Sequence, residues 1–255
     1  MKRKQQWCAF AFLVGFGLFA RPVHAQIGGA VPDLSGFADE IASSFSADPK
    51  GAGKSVAGGV FKSGLSVPSV KPGAAAQGIG KQLREALEKG GKKEGAAAIE
   101  TEMPETLKKV EAGLEKIGFA KRDMGVAVAY AFIYNWETAT GETIPEKPSM
   151  VAAKNVAAAI GKHWGPKFDK MTPESKEKIY ESLLISTTLF SAFAQQFEKA
   201  GKTEDAASIR KSAGQMFQTL IGVPPAQVKI DAEGRITGLA GGEPAATGSA
   251  ETTVE

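Results

Sequence analysis

The sequence predicts an all-α protein, an antiparallel helical bundle of about six helices that ends in a small C-terminal β-hairpin. Between residues 75 and 222, apolar side chains recur at every third or fourth position, which is the spacing of one helix face. Glycines and prolines interrupt this pattern repeatedly, as expected where helices begin and end. After Pro225 the pattern changes to alternation in QVKIDAEGRITGL, which indicates two short strands.

The first 25 residues have the pattern of a secretory signal peptide. Three basic residues at positions 2–4 precede an apolar run at 8–20, and small side chains lead to an expected cleavage after Ala25. This run is shorter than the roughly 20 residues that a helix needs to cross a bilayer. We therefore expect an exported protein, periplasmic or extracellular, whose mature chain contains no stable membrane span.

Cleavage would change the chemistry that the chain can offer. The only cysteine, Cys8, would be lost, and the 31 basic residues would fall to 27 against 28 acidic ones, a net charge of about −1 instead of +3. Such a chain has no electrostatic reason to bind nucleic acid, and a chain without thiols has no disulfide or thiolate metal site. We predict no cofactor and no metal ion. Stretches of mixed charge such as ESKEKIYE (174–181) predict solvated helix faces.

The segment after the signal peptide, residues 26–74, is predicted to be a flexible leader. More than half of residues 26–80 are Gly, Ala, Ser or Pro, so the segment offers little apolar surface to offset the entropy of ordering. Within it, residues 33–46 predict a short amphipathic helix. Its apolar face consists of Leu34, Phe37, Ile41 and Phe45. This helix either docks on a protein partner or packs on its own domain.

The stretch DPKGAGKS, residues 48–55, ends like a phosphate-binding loop. It lacks the first glycine of that motif, because Asp48 stands at the required position. The residues before it make a poor buried strand, and those after it make a poor helix. This context favours a linker over a nucleotide-binding site.

The first two helices of the predicted domain (75–239) each show one apolar face. Apolar residues recur through Leu83 up to a Gly-Gly pair, and again from Leu107 to Ile117. Pro104 suits the first turn of the second helix, since proline lacks the N–H that an interior turn would use.

Residues 123–141, DMGVAVAYAFIYNWETATG, predict the central helix of the bundle. Asp123 is a suitable N-cap, and Gly141 is a suitable end. Apolar residues occupy every face of the helix between them, which indicates a helix that is buried on all sides.

Three further helices complete the predicted bundle. One begins near Pro148, the next follows an N-cap at Thr172 with Pro173 in its first turn, and the last spans 202–222. Because the turn at Gly201 is short, the last two helices are predicted to pack as an antiparallel hairpin.

The C-terminal hairpin is predicted at 227–239, with Gln227–Asp231 pairing with Arg235–Leu239. Gly234 is placed where a tight turn needs a positive φ. Residues 240–255 are predicted to be a disordered tail.

Aromatic residues with polar tips cluster near the ends of the central helix and of the helix after it. They are Tyr130, Tyr134 and Trp136, with Glu137, on the first helix, and Trp164, with His163, on the second. If these ends meet, they form an aromatic-lined ligand pocket that contains a carboxylate and an imidazole. The alternative is that the rings fill the core and their polar tips reach the domain edge.

Three classes of function are compatible with the sequence. An exported helical binding or scaffold module, with a possible protein partner, is favoured because the mature chain carries few reactive side chains. The alternatives are a small-ligand-binding protein or a carboxylate-based hydrolase that uses Glu137 with His163 or with another acid. A chain whose helices insert into lipid is the third class. No motif for a hydrolase, metalloprotease or EF-hand is found, so no catalytic residue is assigned.

Three stretches resemble an uncharacterised family of exported bacterial proteins with a helical domain of unknown function. They are SGLSVPSVKPG (63–73), GFAKRDMGVAVAYAFIYNWETATG (118–141) and KAGKTEDAASIRKSAGQMFQTLIGVPPAQVKI (199–230). The resemblance covers roughly residues 60–239. It implies an exported helical domain, and it implies no activity and no catalytic residue.

Overall fold

The structure is a computed structural model that describes residues 59–91 and 96–239. This part of the chain contains six α-helices, a short 3-10 turn at Pro225–Gln227 and two short strands. The elements are α1 (Ala74–Lys89), α2 (Ala96–Lys116), α3 (Met124–Thr140), α4 (Glu146–Lys170), α5 (Pro173–Lys199), α6 (Thr203–Ile221), β1 (Lys229–Ile230) and β2 (Ile236–Thr237). The predicted bundle with a C-terminal hairpin is confirmed. The predicted signal peptide, the helix at 33–46 and the tail at 240–255 lie outside the described residues.

α3 lies at the centre of the bundle, packed against α4, α5 and α6. Twelve of its 17 residues are buried, which agrees with its apolar composition on every face. Asp123 caps it as predicted, since its carboxylate accepts a hydrogen bond from the N–H of Val126 at 3.0 Å. Gly141 ends it with a φ of 74°. Among the described helices, none is both long and apolar enough to cross a bilayer.

α1 and α2 form an antiparallel hairpin with a close crossing at Gly80. A Cβ atom at Gly80 would lie 2.8 Å from the Cα atom of Glu100, so only glycine allows the two backbones to approach this closely. The predicted place of Pro104 was wrong, because α2 begins at Ala96 and Pro104 lies inside it. The turns before Pro104 bury Ile99 and other apolar groups, which offsets the missing hydrogen bond.

Residues 60–73 belong to the segment that was predicted to be a flexible leader. In the structure they pack along the helical bundle. The N–H of Val67 donates to the carbonyl of Arg122 at 2.8 Å, and the carbonyl of Leu65 accepts from the N–H of Met124 at 2.9 Å. Leu65 and Val67 are both buried. The backbone of Ser63 packs directly on Gly161 of α4, where a side chain would collide with it. Composition did not predict these contacts because few apolar residues make them.

Glu181 of α5 is completely buried, and its carboxylate caps the N-terminus of α1. Its carboxylate accepts hydrogen bonds from the N–H groups of Gly73 at 2.6 Å and of Ala75 at 2.9 Å. These N–H groups lie at the start of a helix, where they have no partner within the helix itself. Burial raises the pKa of Glu181, while these hydrogen bonds act in the opposite direction.

Glu177 lies one turn earlier on α5 and binds the same segment. It accepts hydrogen bonds from the N–H of Lys71 at 2.6 Å and from the guanidinium of Arg122 at 2.6 Å. Burial acts to raise the pKa of Glu177, but these hydrogen bonds outweigh it, and the pKa is lowered. The prediction that 174–181 is a solvated face was therefore wrong for Glu177 and Glu181, because both are buried against backbone donors.

The two strands pair in antiparallel register, with Lys229 opposite Thr237 and Ile230 opposite Ile236. The predicted positive φ of Gly234 is observed at 77°. Trp136 of α3 attaches this end of the chain, because its indole N–H donates to the carbonyl of Val228 at 3.1 Å.

Candidate functional site

A cavity of about 220 Å³ opens between α3, α4 and α5, and loop 141–145 forms one of its walls. Its floor is mainly apolar, and its four charged residues come from the end of α3, from that loop, and from α5 and α6. The residues that matter most here are Ile133, Tyr130, Tyr134 and Glu137 of α3, Ile144 of the loop, Met150 and Ala153 of α4, Ser191, Gln195 and Glu198 of α5, and Arg210 of α6.

Two tyrosines of α3 form the aromatic part of this cavity. Tyr130 and Tyr134 lie one helical turn apart, with ring centroids 4.6 Å apart and planes tilted by 42°. The hydroxyl oxygens of Tyr130 and Thr188 are 2.9 Å apart, and the Thr188 hydroxyl donates to the carbonyl of Leu184. Tyr130 is therefore the donor to Thr188. This bond fixes the ring of Tyr130 against α5, and the half-buried ring of Tyr134 lies nearer the solvent.

Glu137 holds the loop that forms one wall. Its carboxylate accepts a hydrogen bond from the N–H of Ile144 at 2.7 Å. The loop is fixed further because the N–H of Glu142 donates to the Thr140 hydroxyl at 3.2 Å. Glu137 thus has a positioning role in the cavity wall and also contributes its charge there.

An ion pair joins α5 to α6 at the edge of the cavity. The guanidinium of Arg210 contacts Glu198 through Nε, at 3.0 Å from Oε1, and also through Nη2. The guanidinium packs over Gly141, where a Cβ atom would collide with Nη1. On the same face of α5, the Gln195 amide donates to the Ser191 hydroxyl at 3.3 Å. This side of the cavity is therefore polar, and its side chains are held by an ion pair and a hydrogen bond.

The sequence-predicted site residues divide into two groups. Tyr130, Tyr134 and Glu137 line the cavity. Trp136, His163 and Trp164 do not line it. Trp136 is buried and faces the segment before β1. Trp164 is 1% exposed and fills the core, and His163 is partly exposed.

Helix direction explains why His163 is distant from Glu137. α3 and α4 are antiparallel neighbours, so the end of α3 lies near the start of α4, where Ala153 lines the cavity. His163 follows Ala153 by ten residues, which places it about 15 Å further along the helix.

Sequence reasoning missed the residues that come from other helices. Glu198 and Arg210 are polar positions on helices that were analysed only for their apolar faces. Glu198 and Arg210 can be predicted to lie close together only after α5 and α6 are paired as a hairpin, because the two side chains then face the same side.

One family model matches the part of the chain that contains all six described helices. A family model described as a family of unknown function, DUF6683, matches residues 67–236. This chain belongs to the DUF6683 family. The resemblance to an uncharacterised family with a helical domain is thereby confirmed. No curated protein and no solved structure is significantly similar to this chain.

The DUF6683 match contains the whole cavity. Every residue that lines the cavity, from Leu114 to Arg210, lies within the matched range. The matched range also contains Glu177 and Glu181, which bind the segment before α1.

Proposed function

We propose that this DUF6683 protein is an exported binding module that holds a small amphiphilic molecule in the cavity between α3, α4 and α5. The observation that supports the proposal is the cavity itself, with an apolar and aromatic floor and polar groups along its edge. Such a combination is typical of small-molecule sites, where apolar contacts supply affinity and a few polar groups fix orientation.

The size of the cavity limits the ligand. Its volume of about 220 Å³ is below the range of roughly 300–1,000 Å³ that is usual for ligand pockets. We therefore expect a small ligand, such as a molecule with one small ring or a short branched chain.

The contacts of the cavity residues favour binding over catalysis. The hydrolase alternative needs Glu137 beside His163 or another acid, and His163 does not line the cavity. Of the two other acids there, Glu198 is bound to Arg210 and Glu142 is exposed. A scaffold role through the apolar face at 33–46 stays a prediction, because that helix lies outside the described residues.

A fragment screen on the mature protein tests this proposal. We expect small aromatic and branched aliphatic fragments to raise the midpoint of thermal unfolding of the wild type. Tyr134→Ala removes one ring of the floor and should abolish these shifts, because the fragments lose their largest apolar contact. Tyr134→Phe is the matched control, since it keeps the ring and should retain them. Equal shifts for the wild type and Tyr134→Ala would contradict the proposal.

A further inference from the structure

The charges and ring faces around the cavity point to a class of ligand. We propose that the ligand is a small organic cation with an apolar or aromatic body, an inference that rests on the proposed ligand-binding function. The cationic group would lie beside Tyr134, between the carboxylates at the end of α3 and on α5.

The balance of charge around the cavity favours a cation. Among the described residues that line the cavity, three are carboxylates, Glu137, Glu142 and Glu198, and one is a cation, Arg210. Arg210 is bound to Glu198 through two of its nitrogens, so its charge is compensated locally. An entering anion would meet an excess of negative charge, whereas a cation would be attracted.

Aromatic rings line the cavity together with these carboxylates. The face of a tyrosine ring carries negative potential and attracts a cation within about 6 Å of its centroid. Tyr130 and Tyr134 both line the cavity, and their ring centroids are 4.6 Å apart with planes tilted by 42°. Glu137 follows Tyr134 by three residues and lies on the same face of α3, about 5–6 Å away between Cβ atoms. A cation on the Tyr134 ring would therefore also be close to the carboxylate of Glu137.

The apolar walls of the cavity favour a cation that has a hydrocarbon body. Ile133, Ile144 and Met150 line the cavity together with the two tyrosines. They provide an apolar surface for the body of the ligand and exclude water around it. A bare metal cation would gain nothing from these walls. An amine or quaternary ammonium ion with a hydrocarbon body would contact both the apolar walls and the carboxylates.

Three probes of similar size and different charge test this inference by calorimetric titration. They are 2-phenylethylamine, 2-phenylethanol and 3-phenylpropanoate, which carry charges of about +1, 0 and −1 at neutral pH. We expect the amine to bind at least about tenfold more tightly than the alcohol, and the acid to bind most weakly. The affinity of the amine should fall as salt is added, because charges near the surface are screened.

Charge-removing variants sharpen the test. Glu137→Gln retains an oxygen that can accept from the N–H of Ile144. It should weaken binding of the amine about five- to tenfold and change binding of the alcohol less than about twofold. Glu105→Gln, on the exposed face of α2, is the control and should change neither. If Glu137→Gln fails to fold, Glu142→Gln at the exposed edge of the cavity is used, with a smaller loss expected.

The outcomes separate the two proposals. If the alcohol or the acid binds as tightly as the amine, the cation class is wrong and the ligand-binding function stands. If none of the three probes binds, and no fragment raises the unfolding midpoint of the wild type, both proposals are wrong.

Discussion

Arg122 Nη2 lies 2.6 Å from Glu177 Oε1, and this ion pair joins the residue before the α3 cap to the first half of α5. Arg122 has a φ of 55°, a left-handed conformation that is unusual for a residue with a side chain. Its backbone N–H donates to the Tyr180 hydroxyl at 2.8 Å, and its guanidinium also contacts the carbonyl of Pro68. These contacts stabilise the unusual conformation and position residues 60–73.

We predict that Glu177→Gln destabilises the protein by about 2–3 kcal/mol at neutral pH, because it removes one partner of a largely buried ion pair. The pKa of Glu177 is lower in the folded protein than in the unfolded chain. The ionised carboxylate therefore contributes stability above its unfolded pKa, and this contribution is lost as the pH falls through its folded pKa.

Urea unfolding at pH 7, 5 and 3.5 measures this effect. The difference in unfolding free energy between the wild type and Glu177→Gln should be largest at pH 7 and should shrink in acid. Glu105→Gln removes an exposed carboxylate and should change stability little at any of these pH values. A difference for Glu177→Gln that stays constant from pH 7 to 3.5 would contradict the assignment.

Two glycines of α1 give a matched pair of substitutions with opposite expected signs. Gly78→Ala places a methyl group in open space and should stabilise the protein by about 0.5–1 kcal/mol. Gly80→Ala places one 2.8 Å from the backbone of Glu100 and should destabilise it by about 1–3 kcal/mol. Thermal unfolding of both variants measures this, and equal effects would show that α1 and α2 do not cross closely at Gly80.

Two N-cap residues test whether residues 60–73 are anchored by α3. Asp123 caps α3 and also accepts hydrogen bonds from the N–H and the hydroxyl of Ser63. Thr172 caps α5 through the N–H of Ser175. We expect Asp123→Ala to cost about 2–3 kcal/mol and Thr172→Ala about 1 kcal/mol.

Hydrogen exchange separates the two effects of these caps. Asp123→Ala should raise exchange at residues 60–73, and Thr172→Ala should leave it unchanged. Unchanged exchange in Asp123→Ala would mean that Ser63 is held by other contacts.

The helices were predictable from the sequence because each one repeats its apolar positions, although the start of α2 was misplaced at Pro104. α3 shows this most clearly, with Asp123 at its start, Gly141 at its end and apolar residues on every face. The tyrosine part of the cavity was predictable for the same reason, since Tyr130 and Tyr134 are spaced to share one face.

The remaining features depend on pairings between distant residues. Glu181 and Gly73 are separated by 108 positions, and the sequence around Glu181 reads as an ordinary charged helix face. Only the packed structure shows that unpaired N–H groups of α1 lie against this carboxylate. Arg210 is a different case, because the pairing of α5 with α6 was predicted, but the sequence does not show that Arg210 binds Glu198 at the edge of a cavity.

The direction of neighbouring helices limited the prediction of the site. Tyr134 and Glu137 lie near the end of α3, and His163 and Trp164 lie near the end of α4. Consecutive helices with a short connection run antiparallel, so these two ends are at opposite sides of the bundle. The sequence indicates a short connection after Gly141, which is sufficient to predict that the ends of α3 and α4 lie apart.

The most direct test of the account is a crystal structure of the protein soaked with 2-phenylethylamine. We predict density for the ring between Met150 and Ile133, with the ammonium group against Tyr134 and near Glu137. Density at this place in the wild type that is absent from Tyr134→Ala crystals would support the account. A cavity that holds only water at saturating amine, or that is closed by the side chains around it, would contradict it.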